Sequence, residues 1–239
     1  MSEVSRRELL AFGWFPFLAP RHIALAGARF RILRTGRSKR RYLRIHGDEE
    51  TARVVLERHM QTHDGIAYII ESRTRTVMVE GLTLDPNRMF SRVGAEASLR
   101  RLNRDAAPAQ VERALAVLDR GREKLVRAFT PPRGGLTIAL HNNARGYSVE
   151  EEVAISDAVS LHQAAEPHAF FLCTDPRDYA VLKTSPYNVV LQQKAPPTDD
   201  GSLSRLAAAR GWRYVNLEVL IGETDRQREM LSWLEWNVG

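Results

Sequence analysis

From residue 28 onward, short apolar runs rich in β-branched residues alternate with stretches whose apolar positions recur every three or four residues. That alternation restricts the fold more than any other feature of the chain. Strands handed one to the next through helices run parallel, and both faces of their sheet must then be covered. The runs "IAYIIES", "TVMVEGLTL", "GLTIALH", "AFFLCT", "YNVVLQ" and "WRYVNLEV" read as strands. Helical period is present over 49–62, where Ala52, Val55 and Leu56 share a face with His59 or Met60. It returns over 109–129 with Val111, Leu115, Leu118, Leu125 and Val126 in register. Further helices are expected at "DPRDYAVL", "SLSRLAAAR" and "TDRQREMLSWLEW", the last capped by Thr224. The opening "RFRILRTGRSKRRYLRI" reads as a hairpin turning at "TGRS", its alternating arginines on a solvated face. The expected architecture is an α/β three-layer sandwich around a mixed, mostly parallel twisted sheet. One domain is expected over residues 28–239, preceded by an N-terminal segment, 1–27.

Composition narrows the class of function. With 44% hydrophobic and 27% charged residues, the 239-residue chain is globular rather than disordered or fibrous. The formal net charge is +6, and the basic excess is concentrated early, from Arg29 to Arg44. Such an excess can serve nucleic acid, but aromatics for base stacking are sparse in that stretch, which disfavours it. A single cysteine, Cys173, excludes an intrachain disulfide and a multi-cysteine metal site, and its apolar setting suits an inert core residue. No apolar run reaches the roughly 18 residues that a membrane-spanning helix needs. The segment "SRRELLAFGWFPFLA" has paired arginines before an apolar stretch, like a twin-arginine export signal, with "ALA" at 24–26 as a cleavage site. Read otherwise, it is an amphipathic segment packed on the domain. The protein is then periplasmic in the first case and cytoplasmic in the second.

In open α/β sheets ligands gather beyond the carboxyl ends of the strands, so the residue after each apolar run is informative. After "YLRI" comes His46, with Glu49 in the first turn of the next helix. After "VMVEGLTL" comes Asp85-Pro86-Asn87-Arg88, after "LTIAL" comes His141-Asn142-Asn143, and "YVNL" leads to Glu218. These residue types are expensive to bury without a metal or a charged partner. His46 and Glu49 can reach one ion if Gly47 lets the intervening turn fold back, and His141 would close the site from a neighbouring strand. Two imidazoles and a carboxylate suit one zinc ion better than magnesium or calcium, and leave a coordination position open.

Four segments carry a resemblance to a known family. "HGDE" before a helix, "DPNRMF", "ALHNN" and "NLEVLIG" resemble, in order, the motifs of the zinc carboxypeptidase superfamily. The nearer branch is that of succinylglutamate desuccinylase and aspartoacylase, and the resemblance spans about residues 40–235. It implies His46, Glu49 and His141 as zinc ligands, Glu218 as general base, and Asn87 with Arg88 as holders of a substrate carboxylate. Asp48, Pro86 and Ala139 depart from the branch pattern.

The expected activity is zinc-dependent hydrolysis of an amide bond beside a free carboxylate. A peptide C-terminus and an N-acyl amino acid both remain open as substrate. Arg88 would bind the carboxylate bidentately or help stabilise an oxyanion. Arg145 and Tyr147 would line the pocket, and Arg73 and Arg75 could add a second anion contact. Glu223 competes with Glu218 as base but reads as part of a loop. His59 and His63, four apart, read as surface residues without a third ligand. The competing function is a non-catalytic protein of the same fold whose basic hairpin holds an anionic polymer.

Overall fold

The apolar runs form strands because each offers one side chain in two to either face of a sheet. A computed structural model describes residues 21–144, 146–194 and 198–239. In chain order these contain β1 (Arg21–Leu25), β2 (Ala28–Thr35), β3 (Arg40–Arg44), α1 (Glu50–His59), β4 (Gly65–Ile70), β5 (Val77–Val79) and β6 (Leu82–Leu84). A 3-10 turn (Pro86–Arg88) leads to α2 (Arg92–Leu102), α3 (Pro108–Phe129), β7 (Leu136–Asn143), α4 (Val149–Val153), β8 (Ala158–Ser160) and β9 (Phe170–Cys173). The chain closes with α5 (Pro176–Leu182), β10 (Asn188–Leu191), α6 (Leu203–Arg210), β11 (Tyr214–Leu220) and α7 (Thr224–Asn237).

Nine strands make one mixed sheet in the order β1-β2-β4-β3-β7-β11-β9-β10-β8. Its centre, β4-β3-β7-β11, is parallel throughout. Every residue of β4, β7, β9 and β10 is buried, as a sheet covered on both faces requires. One face packs with Leu99 of α2, Leu115 and Leu118 of α3, and Leu203 of α6. The other packs with Leu56 of α1, Leu182 of α5, and Met230 and Leu234 of α7. Cys173 is buried in that second core. The α/β three-layer sandwich is thus the observed fold.

Several local expectations are corrected. β2 and β3 do not pair; β4 lies between them, antiparallel to β2 and parallel to β3. The reason is that "GIAYII" is apolar on both faces and gains more from the interior than from an edge. The hairpin is instead β1–β2, so the sheet already begins at Arg21, within the segment assigned to 1–27. Residues 1–20 and the export motif lie outside the described residues. "TVMVEGLTL" is not a strand of the main sheet but a separate hairpin, β5–β6, turning through Glu80 and Gly81 at positive φ. Helix α2 carries little apolar signal because its buried face is small, Gly94, Ala95 and Ser98 beside Leu99. Its Gly94 approaches Gly201 so closely that a Cβ would stand 2.2 Å from the Gly201 Cα. The N-cap of α7 is Glu223 rather than Thr224, without a side-chain bond.

The arginine alternation is likewise not one solvated face. Arg29, Arg31 and Arg40 pair with Glu71, Glu57 and Glu235, and Arg44 is buried. His59 is buried and stacks on His63 at 3.9 Å, near Glu235, where α1 meets α7. In the last helix Leu231 and Leu234 are core, whereas Trp236 is exposed.

Candidate metal centre

The carboxyl ends of β3, β7 and β11 open into one cleft of about 500 Å³. His46 stands two residues beyond β3, and Glu49 is the N-cap of α1. Gly47 is needed here for close approach rather than for an unusual φ. A Cβ on it would lie 2.3 Å from the Ser72 carbonyl oxygen, and its N–H donates to Thr74 O at 3.1 Å. The backbone of 72–74 therefore presses directly on the turn between the two side chains.

His46 Nδ1 lies 2.8 Å from Glu49 Oε1, and His141 Nδ1 lies 3.1 Å from the same oxygen. One ligand atom from each residue falls within 4.8 Å of the others, and all three residues are buried. Glu49 Oε2 and His141 Nε2 are buried with no hydrogen-bond partner among the described residues. Two imidazoles and a carboxylate with one orphaned oxygen are the donor set that a divalent ion of the zinc type takes. The residues fit such an ion.

Asp85 completes the arrangement. Its Oδ1 meets His46 Nε2 at 2.9 Å, which leaves Nδ1 as the nitrogen facing Glu49 and His141. A carboxylate behind a metal-binding imidazole fixes ring and tautomer. Asp85, at the head of "DPNRMF", leaves the small β5–β6 hairpin rather than the main sheet. Electrostatics follow the geometry. Burial disfavours the His46 imidazolium, yet Glu49 and Asp85 outweigh burial and raise its pKa to about 9. Burial would raise the Glu49 carboxyl, but His141 and His46 reverse this and hold it well below the usual range. Asp85 is lowered to about 2, its bond from His46 overcoming burial.

Glu218 is the register partner of His141 in the parallel β7–β11 ladder, so both side chains leave the same face at the same level. It is buried, and its two oxygens accept from Asn216 at 3.0 Å and Asn143 at 3.3 Å. Burial raises its pKa, with Glu49 adding to the rise and His141 opposing it. Glu223, the competitor, is the N-cap of α7 and does not line the cleft.

The substrate-binding expectations fare differently. Arg88 lines the cleft but is paired with Asp200 at 3.0 Å. Gly201, at φ +76°, packs on the Arg88 carbonyl and fixes that partner. Asn87 also lines the cleft, and its Oδ1 accepts from Leu203 N, tying the 3-10 turn to the start of α6. Tyr147 lines the wall and donates to Glu152 at 2.6 Å. Burial, Glu218 and Glu152 all raise its pKa. Arg145 lies outside the described residues. Arg75 reaches within 3.7 Å of Glu49, whereas Arg73 does not line the cleft.

Among the cleft residues without a sequence signal, Arg205 stands out by its charge. Arg205 projects from α6, donates to Gln192 Oε1 at 2.9 Å, and keeps a buried Nε without a partner among the described residues. Gln192 is oriented in turn by Glu152 at 2.5 Å. In the sequence Arg205 reads only as a polar position of an amphipathic helix.

No protein-family model matches the chain, and no curated protein matches it. Solved structures with a similar course include the product-bound and apo forms of the ectoine utilization protein EutE (DoeB) from Ruegeria pomeroyi. The product-bound form is 14% identical, with a TM-score of 0.47, over 87% of this chain and 60% of that one. A candidate metallopeptidase from Shewanella denitrificans OS217 is 11% identical, with a TM-score of 0.44, over 91% and 82% of the two chains. The chain spans about 60% of the length of the EutE structures it matches. At these values the neighbours carry no functional weight, and the roles below rest on the residues of this chain.

Proposed function

We propose that this protein is a zinc-dependent hydrolase of an amide bond adjacent to a free carboxylate. The observation that carries the reading is the convergence of His46, Glu49 and His141 within 4.8 Å, buried beside a carboxylate, Glu218, that lines the same cleft. Once bound by those three residues, zinc supplies Lewis acidity toward the scissile carbonyl and acidifies a water molecule. Glu218 takes the proton of the attacking water and returns it to the leaving amine. Burial raises its pKa, and a higher pKa makes the ionised carboxylate a stronger base toward water. Asn216 and Asn143 aim the carboxylate by holding one oxygen each.

Three guanidinium groups among the described residues line the cleft, those of Arg75, Arg88 and Arg205. Arg205 meets no carboxylate within 4.0 Å among the described residues, whereas Arg88 shares its charge with Asp200. A substrate carboxylate would bind Arg205 without displacing another carboxylate, and Arg88 only by competing with Asp200. Asn87, Tyr147 and Arg145 are carried into the proposal as further parts of the binding wall. A peptide C-terminus and an N-acyl amino acid both satisfy this chemistry.

The competing function, an anionic polymer held on a basic hairpin, has less to stand on. Strands β2 and β3 do not form that hairpin, and Arg29, Arg31 and Arg40 are paired.

Metal content and turnover test the proposal together. The purified wild type should carry one zinc per chain, and His141→Ala should carry far less. A panel of C-terminally free peptides and N-acyl amino acids should yield at least one amide that the wild type hydrolyses and Glu218→Gln does not. Absence of zinc from the wild type, with no loss on His46→Ala, would remove the hydrolase reading.

A further inference from the structure

The last residue of β3, Arg44, is 2% exposed, although it belongs to a chain segment dense in arginine. Its guanidinium makes three hydrogen bonds, all to main-chain carbonyls. Nε donates to Glu49 O at 3.0 Å, Nη1 to Ile70 O at 3.1 Å, and Nη2 to Gly47 O at 2.5 Å. Two of these carbonyls lie in the turn that carries His46 and Glu49, and the third ends β4, the adjacent strand. Burying a charged group is costly, and an apolar side chain would fill the same place in the β3–α1 interface. The cation therefore calls for a reason beyond packing.

That reason lies in the helix start. A helix N-terminus is ordinarily locked by the side chain of its N-cap residue. Here the N-cap is Glu49, at φ −81° and ψ 71°, and it makes no capping bond. Its carboxylate is engaged with His46 and His141 instead. The turn has thus given up its local lock to the site: Asn142 Oδ1, from β7, accepts from Ala52 N at 2.8 Å in its place, and Arg44 holds the carbonyls of Gly47 and Glu49. Only a planar fork with several donors can reach three separated carbonyls; an ammonium group presents its donors from one point.

We propose that Arg44 is a positioning residue for the metal centre, clamping the β3–α1 turn so that His46 and Glu49 converge before an ion arrives. This inference rests on the reading above that the cluster holds a divalent ion. Outer residues that orient ligands typically change metal affinity about 10–100-fold when replaced.

Zinc and cobalt titrations of wild type, Arg44→Met and Arg44→Lys, with a chromophoric chelator as competitor, provide the test. Both variants should bind metal about 10–100-fold more weakly, and the rise in Tm on adding metal should shrink while far-UV circular dichroism is kept. Arg44→Lys preserves the charge, so its failure to rescue separates the fork from mere positive charge. It also carries the test if Arg44→Met does not fold. Wild-type metal affinity in the folded variants, or a Tm lowered equally with and without metal, would reduce Arg44 to a fold residue and overturn the inference. A wild type that does not respond to metal would instead overturn the metal reading itself, and this inference with it.

Discussion

A carboxyl group buried as Glu218 is pays for its place in stability. Burial raises its folded-state pKa above the ordinary 4.5. Below that ordinary value both folded and unfolded chains hold the proton, and there is no cost. As pH rises, the unfolded chain releases the proton first, so the folded state loses stability until it too is ionised. Replacing Glu218 by Gln should therefore stabilise the metal-free protein at pH 7–8 and leave it unchanged near pH 4. Denaturant unfolding at the two pH values measures this directly. The same variant should lose about 10²–10⁴-fold in turnover, the usual weight of a general base. A gain in stability together with a loss of activity is what a carboxylate buried for catalysis would produce, and a variant with neither would remove Glu218 from the site.

At the scale of elements, the site is held by the ends of β3 and β7, the adjoining turn at the start of α1, and the 3-10 turn that bears Asp85. The turn after β3 is the tightest of these. Gly47 faces the Ser72 carbonyl across a gap that a Cβ would cut to 2.3 Å, and the obstacle is backbone, which cannot swing aside. Gly47→Ala should push the 72–74 strand connection and the His46–Glu49 turn apart. Expected results are a lowered Tm and weaker metal binding, read by thermal unfolding and by chelator competition. Gly146, by contrast, has no atom of the described residues within 4 Å of an added Cβ, so Gly146→Ala serves as the matched control in the same cleft. The β7–β11 ladder needs no such device. Continuous pairing from Tyr214↔Thr137 to Leu220↔Asn143 fixes Glu218 opposite His141. A slip of β11 by one residue would turn Glu218 to the opposite face of the sheet, away from His141.

Considered whole, the molecule brings together segments far apart in the chain, so ion binding and folding should be linked. Any ligand that binds only the folded state stabilises it by RT ln(1 + [L]/Kd), about 2.7 kcal/mol at a hundredfold excess over Kd. Removing metal with a chelator should lower Tm reversibly, and zinc should restore it in wild type but not in His141→Ala. Because His46 must lose its proton to bind, with a metal-free pKa near 9, the restoration should weaken as pH falls. Thermal unfolding at pH 6 and pH 9 reads that dependence.

The primary structure alone was enough for the layered α/β class, the order of most elements and the three candidate ligands. Those follow from local periodicity and from polar residues at strand ends, and both are properties of neighbouring residues. Which strands pair was not legible. β4 separates β2 from β3 because an apolar run seeks the sheet centre, and that is a competition among all strands at once. Asp85 behind His46, Asp200 on Arg88, and Arg205 in the cleft were decided by tertiary contacts across 39, 112 and 13 residues, from the partner positions 46 and 85, 88 and 200, and 192 and 205. Likewise Arg44, one arginine among many in the sequence, became a buried clamp only because a folded backbone turned three carbonyls toward it. Charge and spacing are written along the chain, whereas burial and partnership arise only when distant segments exclude water together.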